Sequence, residues 1–128
     1  MREYKLLDAF EVVKNSFSFL SEEWGFEKTR EDDINYGCYF KYLKNRLTIR
    51  IGYEYKDNCF YFDFIIDEQR FEYIKDEQRQ LIFSFFKERE PNIEWKSFMP
   101  NDFQYKESLM HNVEYLKKYK DDILKMAE

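Results

Sequence analysis

Histidine is the side chain used most often for acid–base chemistry at neutral pH, and it occurs once in this sequence, at position 111. Ser108 and Glu107 precede His111 by three and four residues, which predicts that all three share one face of a helix. A solvated helix face supplies neither an oxyanion hole nor the sharp turn that activates a serine. We therefore interpret His111 as a surface residue and predict no catalytic residue here.

Glu54 and Asp63 fall on the same face of a predicted sheet and are, with His111, the candidate acid or base of an enzyme of unrecognised type. Two carboxylates on either side of a scissile bond are the arrangement of glycosidases. Arg50 is expected directly opposite Asp63, which favours a cross-strand ion pair with a structural role. The ion pair is the preferred interpretation, and an enzyme is the alternative.

Cysteines and glycines show no pattern that would hold a metal or a nucleotide. Cys38 and Cys59 form no CxxC motif, and a single histidine completes no zinc-ligand spacing. Gly25, Gly37 and Gly52 stand apart from one another, without the spacing of a dinucleotide fingerprint or a P-loop. The sequence therefore predicts no cofactor and no metal.

An acidic segment follows the first predicted helix, and aromatic residues are interleaved with it. We predict that its acids and one aromatic residue form a partner-binding site: Glu22, Glu23, Glu27, Glu31, Asp32, Asp33 and Tyr36. Acidic groups around aromatic anchors suit a basic protein surface, because charge speeds the encounter and buried rings supply affinity. The alternative is a solvated turn whose aromatic residues, Trp24 and Phe26 among them, point into the core.

Proteins that bind single-stranded RNA on a sheet use aromatic side chains to stack bases and basic side chains to contact the backbone. Tyr39 and Tyr61, with Lys41 and Arg50 nearby, are similar to such a surface. The net charge of -5, from 26 acidic and 21 basic residues, opposes binding to a phosphate backbone. We therefore predict no nucleic-acid partner and keep single-strand RNA binding as the weakest alternative.

The segment 38–66 is predicted to form a three-stranded antiparallel meander. Loops at Lys44 with Asn45 and at Lys56 with Asp57 would give one face that is apolar throughout. The predicted pairs on that face are Tyr42–Leu47, Phe40–Ile49, Cys38–Ile51, Tyr53–Phe60, Ile51–Phe62, Ile49–Phe64 and Leu47–Ile66. Cys59 falls on the other face, so a disulfide with Cys38 is not expected.

The remaining elements complete an α+β fold. The apolar spacing predicts helices over residues 5–24, 76–89 and 102–127, a short edge strand over 26–30 and a polar turn at 31–37, and leaves 67–75 as either a fourth strand or a loop. We expect an N-terminal amphipathic helix, ended by Gly25, packed on an antiparallel β-meander of three to four strands and followed by two C-terminal helices. Residues 1–128 are expected to form a single α+β domain.

Composition predicts a cytoplasmic protein without a membrane span. Aromatic residues make up 21% of the chain and charged residues 37%, and the mean hydropathy is -0.80. No stretch approaches the ~20 apolar residues of a transmembrane helix. The first five residues lack the apolar run of a signal peptide, and two cysteines without a disulfide pattern are typical of a reducing compartment.

Three groups of residues resemble a known class of proteins. These are the pattern 17–20 with 24–26, the acidic turn after it, and the aromatic strands 46–51 and 53–55. Over residues 17–66, about two-fifths of the chain, this sequence resembles small bacterial immunity proteins of polymorphic toxin systems. The resemblance implies a cytoplasmic, non-catalytic protein that neutralises a cognate toxin, with a basic toxin domain as the expected partner, and it implies no particular site residue.

Overall fold

The structure is a computed structural model that describes residues 9–95, 98 and 105–128. The elements are α1 (Ala9–Ser16), α2 (Phe19–Glu22), β1 (Glu27–Ile34), β2 (Gly37–Lys44), β3 (Leu47–Glu54), β4 (Cys59–Ile66), β5 (Arg79–Leu81), α3 (Ile82–Arg89), α4 (Tyr105–Lys118) and α5 (Lys120–Met126). The five strands form one antiparallel sheet in the order β1-β2-β3-β4-β5. This confirms the predicted α+β class, with one strand more than expected.

The helices pack on one face of the sheet, here called the inner face. Rings provide the contacts: Phe10 of α1 stacks on Phe40 with centroids 5.6 Å apart, and Phe85 of α3 meets Phe64 edge-on at 5.1 Å. The opposite face, here called the outer face, is partly open to solvent, since Tyr61 is 51% exposed. Aromatic side chains bury a large area each, so a short chain obtains a substantial core from them.

The predicted hairpin registers are right in one case and wrong by two residues in the other. Between β3 and β4 the pairing is as predicted, with Ile51 opposite Phe62. Between β2 and β3 the loop consists of Asn45 and Arg46, so Phe40 pairs with Ile51 instead of its predicted partner. A shift of two residues keeps every side chain on its predicted face, because side chains alternate with a period of two.

The first predicted helix is interrupted, because α1 ends at Ser16 and α2 begins at Phe19. The Ser18 hydroxyl donates to the carbonyl of Asn15 at 3.0 Å, a local bond that competes with helix continuation. Gly25 follows with φ +80°, the left-handed conformation that ends helices, and this confirms its predicted role. The predicted start of this helix, residues 5–8, lies outside the described residues.

The acidic segment belongs to a strand, which corrects the prediction of a short strand followed by a polar turn. β1 includes Glu31, Asp32 and Asp33 and pairs with β2 along its length, with an irregularity between Lys28 and Arg30. Acidic residues have low β-propensity, but pairing with a preformed neighbour satisfies the backbone hydrogen bonds and decides the conformation.

The helix predicted over 76–89 is only half present. Residues Asp76–Gln78 form a 3-10 turn, Arg79–Leu81 form β5, and the helix begins at Ile82. The Gln78 side-chain amide donates to the carbonyls of Ile66 and Asp67, both at 2.9 Å, which ties this segment to the end of β4 and aligns β5 beside it. Tertiary contacts override helix propensity here. Residues 67–75 contain no strand.

The last helix is divided at Tyr119, whose ψ of 27° separates α4 from α5. Five residues of this helix are predicted to point inward. Leu109, Leu116 and Ile123 are buried as expected, whereas Tyr105 and Val113 are only partly buried and pack against the core. The Tyr119 hydroxyl donates to a carboxylate oxygen of Glu90, which links this bend to the end of α3. The predicted start of this helix, at residue 102, lies outside the described residues.

Candidate functional site

The outer face carries the candidate site in rows that cross β2, β3 and β4. The rows are Gly37–Glu54–Cys59, Tyr39–Gly52–Tyr61 and Lys41–Arg50–Asp63. All of these residues except Gly37 and Cys59 line a groove of about 640 Å³, and exposed apolar side chains of Leu81 and Trp95 also line it. Neighbouring rows are separated by two residues, roughly 7 Å along a strand, so the groove is long enough for an extended side chain.

Arg50 and Asp63 form the ion pair that the sequence predicts. Arg50 Nε donates to Asp63 Oδ1 at 2.8 Å and Nη2 to Oδ2 at 2.7 Å, and Asp63 is 7% exposed. The hydrogen bonds to Asp63 raise the pKa of the Arg50 guanidinium above its usual value. Both oxygens of Asp63 therefore accept a bond from the same guanidinium, which is the ion pair that the preferred interpretation predicts.

Two tyrosines hold the carboxylate of Glu54 from opposite strands. The Tyr39 hydroxyl donates to Oε2 at 3.0 Å, and the Tyr61 hydroxyl donates to Oε1 at 3.2 Å. Burial, followed by the bond to Glu54, raises the pKa of Tyr39 to about 12. The neighbouring Cys59 thiol and then Glu54 raise the pKa of Tyr61 to about 12. Both phenols are therefore protonated donors at neutral pH.

Glycines let Tyr39 lie flat against the sheet. A Cβ at Gly52 would lie 2.9 Å from Tyr39 Cδ1, and a Cβ at Gly37 would lie 3.0 Å from Tyr39 Oη and 2.9 Å from the Tyr53 carbonyl oxygen. Distances below 3.0 Å are not tolerated between such atoms without a shift. The absence of side chains at these two positions thus sets the path of the Tyr39 ring toward Glu54.

The structure places the predicted acidic site along the edge of the sheet and divides it between two sides. Glu22 and Glu23 are exposed at the end of α2, and the other acids lie on β1. Glu31 and Asp33 lie opposite inner-face residues of β2, whereas Asp32 lies opposite an outer-face residue. Glu27, Glu31, Asp33 and Tyr36 are all exposed, and Asp32 is partly exposed.

The aromatic residues next to these acids are divided between the core and the surface. Trp24 and Phe26 are 5% and 3% exposed, so these two rings belong to the core. Tyr36 is 59% exposed, in the turn between β1 and β2. Of the aromatic anchors interleaved with the acidic segment, only Tyr36 is accessible to a partner.

Several of the acids already have partners within the chain. Glu31 binds Lys28 and lies 3.6 Å from Lys14, and the hydrogen bond from Lys28 is the main reason that the pKa of Glu31 is lowered. Arg30 binds Asp32. These pairs are exposed, so each contributes little to stability, and a partner's cations can replace them.

His111 and Ser108 do not share a solvated face, which corrects the prediction. His111 is exposed, as expected of a surface residue, whereas Ser108 is 2% exposed and faces the core with Asn112. The Asn112 amide donates to the carbonyls of Phe98 and Ser108, at 3.0 and 2.8 Å. Residues 108 and 112 are four apart and define the buried stripe, to which 111 does not belong.

Sequence reasoning missed two features. Phe71 and Tyr73, in the loop over 67–75, are 93% and 98% exposed. The contact of Glu54 with Tyr39 was also missed, because the register error between β2 and β3 placed Tyr39 opposite Arg50 instead of Gly52. The contact of Glu54 with Tyr61 crosses the correctly predicted β3–β4 pairing and is a diagonal contact, which a prediction of directly opposite residues does not include. A loop that begins at Asn45, a residue that tolerates positive φ, gives the correct register.

Comparisons with known proteins provide no relative. No protein-family model matches the sequence, and neither a curated protein nor a solved structure is significantly similar to it. Among the described residues, no group of three or more His, Cys, Asp and Glu side chains is placed to hold a metal ion. None of the helices within the described ranges has the length and apolar character needed to cross a bilayer.

Proposed function

We propose that this protein is a non-catalytic binding module, an immunity protein that neutralises a cognate bacterial toxin by binding it directly. The observation that carries the proposal is the exposure of Phe71 and Tyr73, at 93% and 98%. Large rings that are displayed to water contribute almost nothing to the folded core, whereas aromatic residues dominate the affinity of protein interfaces.

The loop that presents the two rings is fixed at both ends. At its start the Asp67 amide donates to the Arg46 carbonyl at 2.8 Å, and the two side chains form an ion pair at 2.6 Å. At its end Gln78 is bonded back to β4. Phe71 has φ +68°, a conformation that costs a non-glycine residue about 1–2 kcal/mol and that occurs preferentially at functional sites.

The acidic edge supplies the electrostatic component of the same proposal. The ion pair of Lys41 and Glu68, at 3.1 Å, joins the aromatic loop to β2, the strand next to β1. A basic domain that covers the loop can therefore approach the acids of β1. Opposite charge on the two surfaces would accelerate association, and the rings would slow dissociation.

Co-expression with the product of the adjacent gene tests the proposal. The expected result is that the adjacent product arrests growth when expressed alone, that this chain relieves the arrest, and that the two proteins elute together. If the adjacent product is harmless and does not bind, the proposed function is wrong.

Substitutions test the aromatic loop and the acidic edge of the sheet separately. F71A and Y73A should each weaken binding about 10- to 100-fold, mainly through faster dissociation. M110A removes an apolar side chain that is 56% exposed on α4 and is the control, which should bind normally. E27K with D32K should slow association and reduce its salt dependence, whereas E114K on α4 should not. Normal binding by both F71A and Y73A would exclude the aromatic loop as the interface.

A further inference from the structure

Glu54 differs from the acids around it because no cation neutralises it. Other acids on or beside the outer face each pair with a basic residue: Asp32 with Arg30, Asp63 with Arg50 and Glu68 with Lys41. Glu54 forms an ion pair with no residue in the described part of the chain, and its carboxylate borders the groove. The groove is also lined by Arg30, Lys41 and Arg50, which are neutralised in those pairs, and by Arg79. Since none of these four residues forms an ion pair with Glu54, its carboxylate can attract a cation from outside.

The two tyrosines orient this carboxylate and leave part of it free. Each oxygen of Glu54 accepts one phenolic hydrogen bond, from Tyr39 or from Tyr61. A carboxylate has about four acceptor positions, so each oxygen retains capacity for a further donor. Because the bonds come from two different strands, the carboxylate is held in one orientation before any ligand arrives, which lowers the entropy cost of binding.

Tyr61 adds an open aromatic surface beside the charge. Its side chain is 51% exposed, and no ring or cation within the described residues packs against it. Tyr39 is different, since Arg30 already lies over its ring at 5.3 Å. The site therefore combines an oriented carboxylate with one unoccupied aromatic ring.

We propose that Glu54 and Tyr61 form a recognition site for an arginine side chain of the protein partner. A planar guanidinium stacks on an aromatic ring and donates a fork of two hydrogen bonds to a carboxylate, which an ammonium group cannot do in the same plane. The groove of about 640 Å³ accommodates the side chain. This inference deepens the proposed function by naming the chemical group that the partner inserts.

The positions of two glycines support the assignment of a binding site at Glu54. Two of the three glycines of the chain, Gly37 and Gly52, lie under the ring of Tyr39 and allow its hydroxyl to reach Glu54. The site also continues into the predicted acidic edge, because Tyr39 lies opposite Asp32 of β1. A partner that covers β1 thus has the groove next to it.

The experiment uses the full chain and a small probe, so it does not depend on finding the toxin. We expect Nα-acetyl-arginine methylamide to shift the NMR signals of the Tyr61 ring and of the Glu54 region with a Kd of about 1–10 mM. The corresponding citrulline compound, which is neutral and nearly the same shape, should give no saturable shift. The lysine compound should bind about threefold or more weakly.

Three substitutions test whether the arginine probe binds at Glu54 and Tyr61. E54Q keeps the shape of the side chain and removes its charge, and it should weaken the arginine probe at least about 10-fold. Its single amide oxygen accepts from one tyrosine, and its NH2 group donates to the hydroxyl oxygen of the other. Y61A should weaken it about threefold to tenfold. E68Q removes a carboxylate from the same face and should bind the probe within about twofold of the original protein. Equal binding of citrulline, or unchanged binding by E54Q, would overturn the inference.

The two proposals fail in different ways. If the toxin binds E54Q as tightly as the original chain, the proposed function stands and the arginine site is wrong. If the probe binds at Glu54 while no neutralised partner exists, the site stands and the proposed function is wrong.

Discussion

At the scale of single residues, the outer face depends on the match between one ring and the backbone beneath it. Tyr39 lies on Gly52, its cross-strand partner, so closely that a Cβ there would be 2.9 Å from the ring. Glycine in a strand is normally unfavourable because it adds flexibility and no packing, and it marks sites where another group approaches closely. Here the approaching group is a side chain of the neighbouring strand.

A double-mutant cycle measures this contact. G52A should lower the free energy of unfolding by about 1–3 kcal/mol, because the Tyr39 ring must leave its position. In a Y39A background the same change should cost less than about 0.5 kcal/mol or should stabilise, since alanine suits a strand better than glycine. Urea denaturation of the four proteins measures both values. An equal cost in the two backgrounds would show that the ring and the glycine are not coupled.

At the scale of elements, the hairpin between β2 and β3 controls which residues meet on the outer face. Its loop contains Asn45 with φ +53°, followed by Arg46. Asparagine adopts this left-handed conformation more readily than other non-glycine residues, because its short side chain forms local hydrogen bonds. The position of Asn45 therefore determines the register, and the register determines that Tyr39 lies opposite Gly52.

Substitutions at Asn45 should reveal this preference. N45V should lower the free energy of unfolding by about 1–2 kcal/mol, because a β-branched residue is strained at positive φ. N45G should change it by less than about 0.5 kcal/mol, since glycine adopts the conformation freely. Thermal and urea unfolding measure the two effects. D57V, at an exposed position in the loop between β3 and β4 without positive φ, is the control, and a cost for it as large as that of N45V would contradict the argument.

At the scale of the whole molecule, the core is built largely from rings, and several of them carry phenols. Burial raises the pKa of Tyr42 and of Tyr53 to about 12, from the usual value of 10.0. Burial also raises the pKa of Tyr55, whose hydroxyl donates to Asp33 at 2.9 Å. These phenols must stay neutral in the folded protein, whereas they ionise more easily in the unfolded chain.

Stability should therefore fall at alkaline pH. A group whose pKa is higher in the folded state contributes its full stabilisation below the unfolded pKa, near pH 10, and loses it as the pH rises toward 12. We expect the free energy of unfolding to decrease by at least about 2 kcal/mol over this interval. Phenolate absorbance and circular dichroism should change together. Ionisation of all tyrosines near pH 10 without loss of structure would contradict the prediction.

The sequence predicts the parts of the fold that depend on residues close together along the chain better than the parts that depend on residues far apart along it. The alternation of apolar residues in β2, β3 and β4 correctly assigns the faces, because that pattern is local and has a period of two. The ion pair of Arg50 with Asp63 follows from the register of the second hairpin and is confirmed. The helix predicted over 76–89 is wrong at its start, because the bonds from Gln78 to the end of β4 connect residues that are distant in sequence.

The sequence by itself determined the α+β class, the inner face of the meander, the buried apolar positions Leu109, Leu116 and Ile123 of the last helix and the acidic character of the sheet edge. Only the tertiary structure decided that Glu54 stands between Tyr39 and Tyr61 and that Phe71 and Tyr73 face solvent. The physical reason is that hydrophobic periodicity and charge are properties of neighbouring residues, whereas a site assembled across three strands depends on registers. Moving the loop by one residue along the chain shifts the strand pairing by two residues. Each side chain then stays on its face, so the apolar pattern is unchanged, but every outer-face side chain has a different residue opposite it.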